Sequence, residues 1–165
     1  MLSRVVVFHH PQSEGAASLA RQLQREMERH SVSVAVSDVW APDGPSHVDG
    51  TGLIVCIGGD GTVLRGARIA IPHGTPILGV NMGRLGFLTD MSPRDLFNHL
   101  ERILEEDWRI EERYMVRTDL IDGPGTPHVT YHGLNDIVIS RQSPGRPIYV
   151  DLRIDGARVA NYRCD

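Results

Sequence analysis

Five consecutive apolar residues, Leu53-Ile54-Val55-Cys56-Ile57, run straight into Gly58-Gly59-Asp60-Gly61-Thr62. A short unbroken apolar run bounded by turn residues reads as a fully buried strand. Helical spacing resumes right after the glycines, so the turn must carry a strand into a helix. Glycines there permit unusual backbone angles and leave no Cβ to block an approaching ligand. Peptide N–H groups can then face phosphate oxygens at the mouth of the helix. The single acid in the turn, Asp60, is placed to receive a proton or to hold a metal. The same residues would also serve a purely structural turn.

Other segments repeat the alternation. Arg4 to Phe8 reads as a buried strand. Glu14 to His30 is predicted as an amphipathic helix with Ala16, Leu19, Ala20, Leu23 and Met27 on its inner face. Val32, Val34 and Val36 alternate with polar neighbours as a second strand. The Pro- and Gly-rich stretch Ala41 to Gly52 reads as a loop before the strand Leu53 to Ile57. In the helix after the glycine turn, Leu64, Ala67 and Ile71 recur at helical spacing, and Pro72 stops it. Pro76 to Val80 is another short strand. Ser92-Pro93-Arg94-Asp95 opens a helix with an N-cap serine, a first-turn proline and an acid at the third position, and Leu96, Leu100, Ile103 and Leu104 form its inner face. Strands alternating with helices predict an α/β fold with a mainly parallel sheet, in which ligands sit at the carboxyl ends of the strands.

The pattern changes after Trp108. Helical spacing vanishes, and Ile148, Val150, Leu152 and Ile154 alternate into the two-residue turn Asp155-Gly156, from which Ala157 to Arg163 returns. Two domains are expected: an α/β nucleotide-binding domain over residues 1–107, and the first part of an all-β domain over residues 108–165. A two-strand ribbon leaves unpaired edges, so the second domain is expected to be incomplete.

Composition narrows the function. With 41% hydrophobic and 23% charged residues and no apolar run near a membrane span's length, the 165-residue chain is expected to be globular and cytoplasmic, with no signal peptide and no membrane partner. A net charge of −4 argues against a general nucleic-acid binder. All 17 basic residues are arginine, which excludes a P-loop lysine, a Schiff-base lysine and any amine nucleophile. Two cysteines make no disulfide framework. The eight scattered histidines offer one familiar ligand spacing, His128 and His132, so no structural metal is expected.

Two more segments share the polar, glycine-rich character of the first turn. Gly79-Val80-Asn81-Met82-Gly83-Arg84-Leu85-Gly86-Phe87-Leu88-Thr89-Asp90 follows a strand and offers a second loop where a ligand can reach the backbone, or a structural turn. In Leu134-Asn135-Asp136-Ile137-Val138-Ile139-Ser140-Arg141, an amide and a carboxylate open an otherwise apolar strand. The pair can bond a nucleoside's hydroxyls and ring nitrogens or simply cap a turn. In this order the three segments resemble the NAD kinase family across nearly the whole chain. The glycine-aspartate-glycine turn alone is shared with diacylglycerol, sphingosine and phosphofructokinase families.

The resemblance implies transfer of the γ-phosphoryl group of ATP to the adenosine 2′-hydroxyl of NAD, giving NADP, with a divalent metal such as magnesium and a homo-oligomeric assembly. It makes Asp60 the catalytic aspartate and puts Gly61 and Arg65 beside it, although Arg65 can equally be a solvated helix residue. Asn135 and Asp136 match the paired polar residues that hold NAD. Arg146 falls where the family often carries a basic residue, in a segment that also reads as exposed surface. Arg163 and Asp165 match the end of the family's hairpin and the aspartate that follows. The family's next motif, rich in Gly, Thr and Ser, is missing from these residues, so a fragment is expected. A lipid or sugar kinase sharing the turn, and a non-catalytic nucleotide-binding module, are the alternatives.

Overall fold

The computed structural model describes residues 1–42, 44–83, 86–89, 91–121, 123, 128–134, 136–141 and 145–164. The backbone divides into two compact units, Met1–Tyr114 and Met115–Asp165. Among the described residues no helix is long and apolar enough to cross a membrane.

The first unit is built on four parallel strands, β1 (Arg4–His9), β2 (Ser33–Asp38), β3 (Leu53–Gly58) and β4 (Ile77–Asn81), in the order β2-β1-β3-β4. Side chains alternate across the two central strands, so both faces of the sheet are apolar and both are covered. Val5, Val7, Val55 and Ile57 pack with α1 (Glu14–Arg29), α3 (Pro93–Asn98) and α4 (Leu100–Leu104). Val6, Phe8, Ile54 and Cys56 pack on the other face with α2 (Asp60–Ala70). The chain leaves β1 for β2 on one side and returns to β3 on the other. A crevice therefore opens between the carboxyl ends of β1 and β3, where the strand order reverses.

The expected elements of this unit are present. Helix α1 buries Ala16, Leu19, Ala20, Leu23 and Met27, the five residues its spacing picks out, and the Ser13 hydroxyl caps it by accepting from the Ala16 amide at 3.2 Å. The loop before β3 contains a 3-10 turn at Gly44–His47. Helix α2 ends at Ala70, and Pro72 lies in the 3-10 turn that follows. Its buried face is Thr62, Val63, Gly66 and Ala70 rather than Leu64, Ala67 and Ile71, which are only half-buried. The shift arises because α2 meets β3 through small residues: a Cβ on Gly66 would run into the Cys56 sulfur.

The helix expected after Ser92 is split at His99 into α3 and α4, and Leu96, Leu100, Ile103 and Leu104 are buried as their spacing predicts. Ser92 and Asp95 form a reciprocal capping box. The Ser92 hydroxyl, donating to Asp95 at 2.6 Å, is the main cause holding that carboxyl below its ordinary range.

The second unit contains two antiparallel ribbons, β5 (Val116–Leu120) with β6 (Val129–Gly133) and β7 (Ile148–Ile154) with β8 (Ala157–Cys164). The turn between β7 and β8 is the expected Asp155-Gly156 pair, with φ of 50° and 82°. Residues 136–141 form no strand, contrary to expectation. The four strands pair only within their own ribbons, which gives this segment no ladder, and Val138 and Ile139 are exposed.

Candidate functional site

Three strands of the first unit end at one place. A cleft of about 290 Å³ lies there, lined by His10 and Ser13 after β1, Gly58 and Gly59 at the end of β3, and Asn81, Met82 and Gly83 at the end of β4. Three of its lining residues are glycines, which bring main chain to the wall beside the side chains of His10, Ser13, Asn81 and Met82. Gly59 is the N-cap of α2 and offers no capping side chain. The Thr62 and Val63 amides donate to the Gly59 carbonyl, so the amides of Asp60 and Gly61, ahead of that first bond, are the ones a ligand at this mouth could meet. Gly58 is obligatory for packing: a Cβ would fall on the Thr62 hydroxyl, which is fully buried and has no hydrogen-bond partner among the described residues.

Asp60 opens α2 beside the cleft, half-buried, and both of its oxygens are engaged. Oδ2 accepts from the Phe87 amide and Oδ1 from the Leu88 amide, each at 3.0 Å. The segment that supplies these amides is anchored from behind. Thr89 is fully buried and its hydroxyl accepts from the Asn81 side chain at 2.9 Å, while the Asn81 amide donates to the Met91 carbonyl at 2.9 Å. Leu88 packs against the apolar cluster on the α2 face.

Two glycines make this approach possible. A Cβ on Gly79 would meet the Leu88 carbonyl, and one on Gly86 would overlap the Asp60 carboxylate. Gly83 is open and lines the cleft. The second glycine-rich segment thus positions Asp60 and borders the cleft as well.

Of the other residues named from sequence, Gly61 lies next to Asp60 in the first turn of α2, exposed and with open space around it. Arg65 is one turn further on. Its Nε donates to the Val39 carbonyl at 2.9 Å, and its guanidinium lies over the Trp40 ring, 5.5 Å from the centroid. In the second unit Asp136, Arg146 and Arg163 are exposed. Arg163 faces Tyr149 across the β7–β8 ribbon, and Arg146 precedes β7 at the same end. Asn135 and Asp165 lie outside the described residues, as do Arg84, Leu85 and Asp90.

Sequence reasoning missed His10, Trp40 and the role of Phe87. His10 follows β1 directly, and that place at a carboxyl strand end was the available signal. Phe87 is 92% exposed although its amide holds Asp60, so the residue that fixes the carboxylate through its main chain presents an apolar ring to solvent. Among the described residues no group of three or more His, Cys, Asp or Glu is arranged to hold a metal ion.

A family model described as the ATP-NAD kinase N-terminal domain matches residues 1–108. An NAD kinase of Heliobacterium modesticaldum is 49% identical over 114 residues, covering 68% of this chain and 40% of its own length. Those of Chloroflexus aurantiacus and Dehalococcoides mccartyi are 34% and 31% identical over the full chain, which spans 60% and 58% of their lengths. The fold is similar to a crystal structure of yeast NADH kinase complexed with NADH, with a TM-score of 0.78 at 19% identity, covering 97% of this chain and 55% of that one. The chain therefore spans no more than about three fifths of these relatives' lengths. With its α/β unit matched by the family model and its whole length aligned to relatives above 30% identity, the chain belongs to the NAD kinase family.

Proposed function

We propose that the protein is a phosphotransferase that moves the γ-phosphoryl group of ATP to the 2′-hydroxyl of the adenosine ribose of NAD, giving NADP. The observation that carries this reading is the fixed Asp60 carboxylate at the lip of a glycine-walled cleft. Two backbone amides set its orientation and leave each oxygen further acceptor capacity. A hydroxyl is a weak nucleophile near neutral pH. Asp60 accepts its proton as the ribose oxygen bonds to the γ-phosphorus and the bond to the departing ADP oxygen breaks. The remaining work is positioning and charge neutralisation, supplied by amides at the start of α2 and by arginine, since the chain has no lysine.

Gly61 and Arg65 belong to the same site, Arg65 from the rim where Val39 and Trp40 hold it. The exposed ring of Phe87 gives a base of the dinucleotide a surface to stack on. Asn135, Asp136, Arg146, Arg163 and Asp165 are assigned to the dinucleotide from the second unit. A divalent ion such as magnesium fits this donor set. One nearby carboxylate and, among the described residues, no protein cage suit an ion that would arrive on the donor's phosphates and neutralise their charge there. A cytoplasmic homo-oligomer completes the reading.

The test is Asp60→Asn in the intact protein that contains this chain. NADP formation should fall by roughly 10²- to 10⁴-fold, the usual range for losing a general base. NAD affinity should stay within about twofold. The asparagine amide would oppose one of the two backbone N–H groups, so the melting temperature is recorded beside the rates. Near-wild-type turnover in a folded variant removes Asp60 from the role of base.

A further inference from the structure

We propose that His10 binds the phosphate chain of the phosphoryl donor, a proposal that deepens the kinase reading and rests on it. A polyphosphate in this cleft needs N–H donors, and the side chains lining it are sparse. Among the described lining residues His10 is the only ionisable one. This chain has no lysine to take the task, and Arg65, in the helix that Asp60 opens, spends its Nε on the Val39 carbonyl and its face on Trp40.

The imidazole is held in place from two directions. The Gln12 amide donates to His10 Nδ1 at 3.2 Å, which makes Nδ1 an acceptor and leaves the ring proton on Nε2. The ring also meets Trp40 edge to face, with centroids 5.0 Å apart and an interplanar angle of 70°. Trp40 in turn stacks with Arg65. The end of β1, the turn after β2 and the first turns of α2 are thereby joined through three rings and planes, with an N–H donor fixed at the cleft. A pre-oriented donor loses little freedom when an anion arrives. His10 lines the same cleft as Gly58 and Gly59, and its own amide is tied to the Ile57 carbonyl at 3.1 Å just before those glycines, so an anion bound there has imidazole and glycine main chain within one small volume.

A purely structural His10 would serve only as packing for Trp40, and binding measurements separate the two roles. In the intact protein, calorimetry should show that ATP and inorganic tripolyphosphate both bind while adenosine does not. His10→Ala should weaken both by about tenfold, the worth of one good hydrogen bond to a charged group. His10→Gln, which retains an N–H donor on a side chain of similar reach, should lose less than about threefold. The KM for the donor should rise in parallel, with the KM for NAD unchanged.

Unchanged tripolyphosphate affinity in His10→Ala, or in His10→Gln and His10→Ala alike, overturns the proposal. So does failure of tripolyphosphate to bind the wild-type protein. NADP formation by the wild type is measured separately. His10-dependent tripolyphosphate binding without NADP production would sink the kinase reading and leave the phosphate site standing. NADP production with a donor KM indifferent to His10 would do the reverse.

Discussion

Asp60 could not rotate freely even before a substrate arrives, because each oxygen already accepts one amide at 3.0 Å and Gly86 closes over it without a side chain. Adding a methyl at Gly86 places a carbon on the carboxylate, and the carboxylate is the group that must yield. Gly86→Ala is therefore expected to lower kcat by about 10²-fold, the scale of a misaimed reacting group, with little change in the KM for NAD. Steady-state NADP formation measures it, and a normal kcat with a lowered melting temperature would make Gly86 a packing residue only. This pairing was hidden in the sequence. Asp60 was legible because an acid among glycines after a buried strand is a local pattern. Its partners lie 27 and 28 residues away and act through backbone amides, which carry no residue signature. Arg65 was legible as a cation near the site, but not its commitment to Val39 and Trp40, since a carbonyl and an indole from another strand end set it.

At the scale of elements, the contact between α2 and β3 determines how close the helix comes to the sheet. Cys56 is fully buried, and burial pushes its thiol up to about 12, so its sulfur is a neutral volume and not a charge. Gly66→Ala gains about 1 kcal/mol of helix propensity and incurs an overpacking penalty of roughly 1–3 kcal/mol against that sulfur. Removing the sulfur should remove the penalty. Urea unfolding of Gly66→Ala, Cys56→Ala and the double variant is expected to show the double variant more stable than the sum of the singles by about 1 kcal/mol or more. Strict additivity would mean that the helix shifts to avoid the contact. The same interface explains why the inner face of α1 was readable and that of α2 was not. Helix α1 packs through leucine, alanine and methionine, which announce themselves by hydrophobicity. Helix α2 packs through Thr62 and Gly66, chosen for size, and the apolar Leu64 and Ala67 lie to the side.

For the molecule as a whole, burial is uneven between the two units. In the first unit all of β3 and Val5 to Phe8 of β1 are buried, whereas the ribbons of the second expose Tyr131, Tyr149, Ile154 and Tyr162. Two-stranded ribbons without a covered face are marginal in water. Hydrogen exchange on the 165-residue chain should find the amides of β1 and β3 the slowest and those of β5 to β8 exchanging faster by about 10²-fold or more, since local opening scales with the apolar surface each element buries. Equal protection across both units would refute this. The parallel sheet was legible because its strands are short, apolar and regularly interrupted by helices. Residues 136–141 were misread as a strand because apolar residues alone do not supply a pairing partner, and pairing is a long-range property. The tether between Asp60 and the Phe87–Leu88 amides has a practical corollary. The carboxylate and the amides that hold it are one contact, so a compound that grips Gly86 to Leu88 from outside is expected to displace Asp60, and with it the proposed activity, without ever entering the cleft.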